Sequence, residues 1–401
     1  MPLISVVIPV HGVDAYLDRC LDSVLGPISL AARGPTGLAA RGGPTGLAAC
    51  GPTGLAACRG GAAASIEVIA VDDASPDRCG TILAARHDPR LRVLSTQSLG
   101  GVVPPGGSRS PVGPGAARDL GAKEATGEYV WFVDGDDELA EGALAAVAGA
   151  LTRLRPDVLV IDFENLYLDG TTSPSGGARY LRGGAAEPLC GGAAEPLRGG
   201  EGSGSGPLAD HPALIHLTMT AWSKVFRRDF LAGLGVSFGA AGPAPHEDVP
   251  VTTMALLMAG TIGVLDQVCY RYRRQRRGSY LAGVSAANFH IFGSYRLIFD
   301  YFSERARLRA PVPPPVYAAV FERAVWHYTT LLPLVPRRRR REFFHQMSAD
   351  FRRWRPDGFR FPPGPRGVKF RLVARDAYWA YVLLDPVNRL RLGLHVRRAP
   401  P

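Results

Sequence analysis

Cysteine is scarce in this sequence, with 6 in 401 residues, and no two are set at a CxxC or other metal-ligand spacing. That excludes a disulfide scaffold and a zinc-ribbon site. Cys50, Cys58 and Cys190 lie inside repeat units and Cys20, Cys79 and Cys269 are scattered, so reduced, unpaired thiols are expected. Also missing is any run of roughly 18 consecutive apolar residues, which excludes an apolar membrane-spanning helix. The longest apolar helical candidates, near Ala143–Leu154 and Thr252–Ala259, are far shorter. Met1-Pro2-Leu3 enters an apolar strand with no basic n-region or small-residue cleavage site, so the expectation is a cytoplasmic chain. Acidic residues are the minority charge, 36 Asp and Glu against 46 Lys and Arg, and the deficit is uneven. From Arg271 onward there are 27 Lys/Arg and 8 Asp/Glu, a net +19, which leaves −9 for residues 1–270. An acidic part suits a metal site; a basic part suits phospholipid headgroups, a polyanionic acceptor or nucleic acid.

Glycine (48) and proline (34) are abundant but clustered. Gly34–Arg41 recurs as Gly43–Cys50 and Gly51–Cys58, and Gly183–Cys190 recurs as Gly191–Arg198. These periods are too short for a solenoid unit and have little to bury. They read as low-complexity surface insertions at about 31–64 and 173–207, with a third at 98–114.

Between the insertions, the β-branched run Ile4–Val10 and the helical pattern Asp14–Leu25 form one βα unit. Ile66–Val71 and a helix near Arg78–Arg86 form a second, and Ser75 is placed to cap that helix. Two such units in tandem imply a parallel sheet. Arg92–Leu94, Tyr129–Val133 and Asp157–Phe163 are expected strands, Gly115–Ala125 a helix, and Ile262–Tyr272 mostly extended. Ala213–Phe230 and Val249–Met258 read as helical. From Ala286 the pattern is helical and basic, and a domain boundary is placed near residue 285, giving a catalytic unit over 1–285 and a helical region over 286–401. Trp326, Tyr328, Trp354 and Trp379 sit among apolar residues at helical spacing, the pattern of a core, which argues against nucleic acid as a partner.

Three acidic clusters carry the chemistry. Asp134-Gly135-Asp136-Asp137 follows an apolar strand, where open α/β sheets bind ligands, and offers hard oxygen ligands for a cation that neutralises a diphosphate. The bland alternative is a solvated turn. Asp72-Asp73 ends the second strand, and its alternative is a strand-to-helix cap. His246-Glu247-Asp248 opens a helical run, where a carboxylate accepts a proton from an attacking hydroxyl or merely favours the helix N-terminus.

Taken in order, Pro9-Val10, Val71-Asp72-Asp73-Ala74-Ser75, Ala117-Arg118-Asp119-Leu120-Gly121, Phe132-Val133-Asp134-Gly135-Asp136-Asp137 and His246-Glu247-Asp248 resemble the motifs of the family 2 glycosyltransferases, over residues 3 to about 280. Within that family the likeness is to transferase domains of cell-wall, teichoic-acid-type glycopolymer synthesis, whose basic helical tails are similar. The resemblance implies a GT-A fold, an α/β, Rossmann-like and mostly parallel sheet flanked by helices, followed here by the basic helical region. It also implies an inverting transfer from a nucleotide-diphosphate sugar to a glycan, glycopolymer or lipid-linked acceptor. By the same resemblance Pro9, Val10, His11, Asp73, Ser75, Arg118, Asp134 and Gly135 line the nucleotide sugar. Asp136, helped by Asp134, binds Mn²⁺ or Mg²⁺, Asp248 is the general base, and Glu247 shapes the acceptor site. His246, Lys224, Arg276, Ser279 and Asp137 form a second rank, and Lys224, Arg276 and Ser279 have ordinary surface charge as the alternative. His11-Gly12 in place of Tyr-Asn, Gln97 in place of Asn and Asp119 in place of Asn depart from the family pattern and leave the donor open. Two other functions stay open: a non-catalytic sugar-nucleotide-binding scaffold at an anionic membrane surface, and a nucleotidyltransferase.

Overall fold

The computed structural model describes residues 1–26, 65–99, 110–175, 177, 181, 206–241, 244–274, 283–308 and 311–391. The repeats, most of the 98–114 segment, and Arg276 and Ser279 lie outside the described residues.

Strand β1 (Ile4–Val10) is buried along its whole length. Its side chains alternate between the two sheet faces. Ile4, Val6, Ile8 and Val10 join a cluster with Leu17, Leu21 and Val24 of helix α1 (Asp14–Leu25). Val7 joins the opposite cluster. Strand β2 (Ile66–Asp72) pairs in parallel with β1. After the short helix α2 (Cys79–Ala85), β3 (Leu91–Ser95) pairs in parallel with β2. On the other side of β1, helix α3 (Pro114–Glu124) leads into β4 (Tyr129–Phe132), again parallel. Gly121 lets α3 lie against the sheet, because a Cβ there would stand 2.2 Å from Val7 Cγ1.

The second half of the sheet is mixed. After β5 (Glu138–Leu139) and helix α4 (Ala143–Leu154) come β6 (Val158–Leu166) and β7 (Thr172–Pro174). β8 (Lys224–Arg227) lies antiparallel between β4 and β6, and β9 (Ile262–Arg273) runs parallel to β6. The order of the nine-stranded sheet is β3-β2-β1-β4-β8-β6-β9-β5, with β7 on β6. This corrects the helical expectation for Ala213–Phe230: Pro212–His216 is a 3₁₀ turn, β8 follows, and only Arg228–Ala232 (α5) is helical. A short apolar run such as Val225-Phe226 does not declare its period. Here pairing with Val130–Trp131 and Val158–Leu159 decides it.

Helix α6 (Asp248–Met258) precedes β9. The helices α7 (His290–Arg307), α8 (Pro314–Leu331), α9 (Arg340–Trp354), α10 (Gly364–Ala374) and α11 (Tyr378–Arg391) then complete the chain. No gap in packing marks residue 285, since one apolar cluster runs from Val7, Val130 and Phe132 through Val251 and Leu256 to Phe292, Tyr328 and Phe351. Tyr328 is core, and Trp354 stacks on Phe299 with centroids 4.9 Å apart. Trp326 and Trp379 correct the core expectation, being 39% and 65% exposed. Among the described residues no helix is long and apolar enough to cross a membrane.

Candidate active site

The acidic turn begins where β4 ends. Val133 N–H still donates to Val7 O (3.0 Å), and the chain then turns over the C-terminal end of β1. Gly135 eases that approach, because a Cβ would stand a tight 3.1 Å from Pro9 O and 3.2 Å from Val13 Cγ2. The turn therefore brings Gly135 against the buried Pro9 and Val10.

The four residues of the turn do not share one role. Asp137 is 1% exposed, and its two oxygens accept from Arg273 N–H (2.7 Å) and from Tyr270 Oη (2.7 Å). Burial first, then the charges of Asp136 and Asp134, push its carboxyl far above the carboxylate range. Asp137 thus anchors the turn to β9 and is turned away from solvent. Arg273 reinforces the anchor, donating to Asp136 O (2.8 Å) and to the Glu138 carboxylate while its guanidinium lies over the Tyr16 ring. Tyr270 Oη also accepts from Asp134 N–H (3.1 Å), and its ring stacks on Trp222 at 4.5 Å. Asp134 and Asp136 are the part-exposed members. No group of three or more His, Cys, Asp and Glu among the described residues stands ready to enclose a metal ion. Asp134, whose Oδ1 already accepts from Arg118, and Asp136 are the residues that would hold a divalent cation of the Mg²⁺ type, phosphate oxygens and water completing its shell.

Arg118, on α3, joins the two acidic centres. It is 4% exposed; Nη2 donates to Asp134 Oδ1 (2.7 Å) and Nη1 to Glu247 Oε1 (2.6 Å). Burial alone would lower its pKa, but the charges of Asp134 and Glu247 outweigh this and hold it above the ordinary value. Its Nε has no hydrogen-bond partner among the described residues, and its guanidinium lies 5.9 Å from the Phe238 centroid. Gly115 permits the close approach of α3 to this point, since a Cβ there would stand 2.4 Å from Phe238 O and 3.1 Å from Glu247 Cγ.

Asp248, at the first position of α6, follows directly on Glu247. Burial, and after it the Glu247 charge, raise its carboxyl to about 7, against opposing pulls from Arg118 and Lys224. Lys224 is not the surface charge its sequence context suggested. It is fully buried at the start of β8, and its ammonium donates to Thr218 O (2.8 Å), Thr220 O (3.2 Å) and Ser223 Oγ (3.1 Å). Burial lowers its pKa to about 7, with Asp248 acting to raise it. His246 is also buried and lies in the left-handed region at φ +69.

On the nucleotide side Asp73 is 2% exposed, with Oδ1 accepting from Thr96 Oγ1 (2.7 Å) and Val112 N–H (2.9 Å) and Oδ2 from Gly113 N–H (2.8 Å). In this arrangement it ties down the entry to α3. His11 is exposed, and its Nδ1 lies 2.7 Å from Asp73 O. Ser75 does not cap the following helix, which starts only at Cys79 with Arg78 at the N-cap; Asp77, one residue earlier, accepts from Cys79 N–H (3.1 Å) and Asp14 N–H (2.9 Å). Ser75 instead donates through Oγ to Val10 O (3.4 Å). Asp119 accepts from Phe238 and Gly239 N–H (3.0 and 2.7 Å) and so fixes the segment that carries Phe238.

The structure thus gathers Pro9, Val10, Arg118, Asp134, Gly135, Glu247 and Asp248 at one end of the sheet, and Arg276 and Ser279 lie outside the described residues. The segments Trp222–Phe226 and Tyr270–Ser279 resemble family segments that flank the site, which brought in Trp222, Tyr270 and Arg273 without individual roles; Gly115 and Phe238 had no sequence signal.

A glycosyl transferase family 2 model matches residues 107–177. The chain is 29% identical over 139 residues to the uncharacterized glycosyltransferase EpsJ of Bacillus subtilis, covering 34% of this chain and 27% of that protein. It is 25% identical over 233 residues to the poly(ribitol-phosphate) beta-N-acetylglucosaminyltransferase TarS of Staphylococcus aureus, covering 58% of this chain and 34% of TarS. The chain thus spans about a quarter to a third of the length of these two relatives. A crystal structure of S. aureus TarS residues 1–349 in complex with UDP-GlcNAc superposes with a TM-score of 0.61 at 18% identity, over 98% of this chain and 93% of that one. That likeness shows the fold. The GT-A fold and the resemblance to family 2 glycosyltransferases of the teichoic-acid type, both read from the motif order, are borne out.

Proposed function

We propose that this family 2 glycosyltransferase moves a sugar from a nucleotide-diphosphate sugar to a hydroxyl of a cell-wall or surface glycopolymer, with inversion at the anomeric carbon. The observation that carries the reading is the Arg118 bridge, which sets the Asp134 carboxylate and the Glu247-Asp248 pair on two sides of one guanidinium. A leaving diphosphate belongs on the first side and an incoming hydroxyl on the second.

In a single displacement the acceptor oxygen forms its bond to the anomeric carbon as the bond to the diphosphate oxygen breaks. Asp248 takes the hydroxyl proton, and the nucleoside diphosphate leaves with the electron pair. A carboxyl raised to about 7 is matched to that task near neutral pH. Glu247, held by Arg118, orients the acceptor side. Mn²⁺ or Mg²⁺ bound by Asp136 with Asp134 would supply charge neutralisation for the departing diphosphate. UDP-GlcNAc is the first donor to try, because the TarS structure of like fold contains it. A screen of nucleotide-sugar turnover with and without Mn²⁺ should find one donor consumed by the wild type and spared by Asp136→Ala and Asp248→Asn. Wild-type turnover in either variant removes that residue's role. Pyrophosphate release from a sugar phosphate and a nucleoside triphosphate would replace the transferase with the nucleotidyltransferase reading, and donor binding without turnover would favour the scaffold.

An anionic membrane surface is proposed as a second partner, at the inner face of the cell membrane. It is supported by exposed Trp379, Val382 and Leu383 on α11 and by exposed Arg371 and Arg375 just before it in sequence. Interfacial tryptophan with neighbouring arginine suits a headgroup layer. Binding to vesicles of anionic but not of neutral lipid, weakened by salt, is the expected result; equal binding to both rules it out.

A further inference from the structure

The helical region after residue 285 reaches into the acceptor side of the site. His246 holds a left-handed backbone (φ +69) immediately before Glu247 and Asp248, a conformation that a non-glycine residue keeps only when its surroundings fix it. The fixing groups come from residues 288–334. His246 Nε2 lies 3.3 Å from Asn288 Oδ1, and Asn288 Nδ2 donates to Leu334 O (2.9 Å). That second bond orients the amide so that its oxygen faces the imidazole, which makes Nε2 the donor. Ser294 Oγ donates to His246 O (3.2 Å), and the His246 ring packs edge-on against His327 at 5.3 Å. His327 is itself held by Tyr295 Oη, 3.2 Å from its Nδ1. Asn288, Ser294 and His246 are all nearly inaccessible, at 4%, 6% and 7%.

We infer that Asn288 and Ser294 are positioning residues for transfer: they act through His246 to hold the turn that aims Glu247 at Arg118 and Asp248 at the acceptor. The helical region is in this account part of the catalytic unit. This rests on the transferase reading above, but the left-handed turn and its anchors exist independently of it.

The test uses the full chain and the variants Asn288→Ala, Ser294→Ala, His246→Gly and the double variant Asn288→Ala/His246→Gly. Hydrogen exchange on the ligand-free protein needs no activity. In Asn288→Ala, the peptide covering 244–250 should exchange faster while peptides of β1 and β4 keep their wild-type rates. With UDP-GlcNAc as donor probe, kcat should fall by about 10²-fold, the scale of a 1 Å misplacement, while KM for the donor and the Kd for UDP stay unchanged. Ser294→Ala should move the same quantities in the same direction by less. Glycine enters the left-handed region freely, so His246→Gly keeps the backbone conformation and discards the anchor. In that background Asn288→Ala should add nothing. A full Asn288→Ala effect in the glycine background, or unchanged exchange at 244–250, overturns the inference. If no nucleotide sugar turns over, the exchange result alone decides it, and the transferase reading falls separately.

Discussion

The Asp134–Asp137 turn and the His246–Asp248 turn present carboxylates to the same arginine, yet they are held by different parts of the molecule. The first is fixed from within the sheet: Gly135 lies on β1, and Asp137 is gripped by Tyr270 and Arg273 of β9. The second is fixed by Asn288, Ser294 and His327, which come 42 to 81 residues later in helical structure. The first turn is therefore held by the sheet itself, and the second by the way the C-terminal helices dock. On the proposed transferase reading, the first turn serves the donor diphosphate and the second the acceptor hydroxyl.

The largest expected effect separates the two sides by chemistry. Asp248→Asn should lower kcat by about 10²- to 10⁴-fold, the worth of a general base, while the Kd for UDP by calorimetry stays at the wild-type value. A matched loss of UDP binding would place Asp248 on the donor side instead. Arg118→Met removes the link itself and leaves Asp134 and Glu247 facing each other without their shared cation. Breaking a buried pair in this way costs about 3–5 kcal/mol, reduced here because Asp134 remains 24% exposed, and denaturant unfolding should show it as a lowered midpoint with unchanged slope. Tyr270→Phe strips the acidic turn of one anchor. A buried Asp137 oxygen and Asp134 N–H then lack their partner, for about 1–3 kcal/mol, and Asp248-dependent steps should be spared. Trp379→Ser, at a site 65% exposed, should change stability by less than about 0.5 kcal/mol. Its predicted effect is confined to vesicle binding, and a large drop in unfolding midpoint would mean that α11 is packed against something in solution.

The difference in legibility between the two turns follows from the same physics. Strand β1, the β2 and β4 strands and the acidic turn were readable because local apolar periodicity and a short motif determine them. β8 was misread as helix because its identity comes from neighbours β4 and β6, which no window around Val225 contains. Surface charge stayed open as the alternative for Lys224 because its three oxygen acceptors lie in the irregular segment 218–223. The bonds that Asp73 accepts from Thr96, Val112 and Gly113 depend on a loop entry that the motif does not encode. The anchors of His246 lie beyond the boundary drawn at 285, which rested on a change to a basic helical pattern and not on packing. Composition marks charge and solvent exposure; it does not mark which apolar faces meet.

The pH dependence of kcat/KM for the donor that turns over tests the central claim most directly. The Asp248 carboxyl is raised to about 7, and a general base works only when deprotonated. The rate should therefore climb tenfold per pH unit below 7, level off above it, and lose this step in Asp248→Asn. A profile already flat between pH 5 and 8, or a step near 7 that survives in Asp248→Asn, would contradict the account.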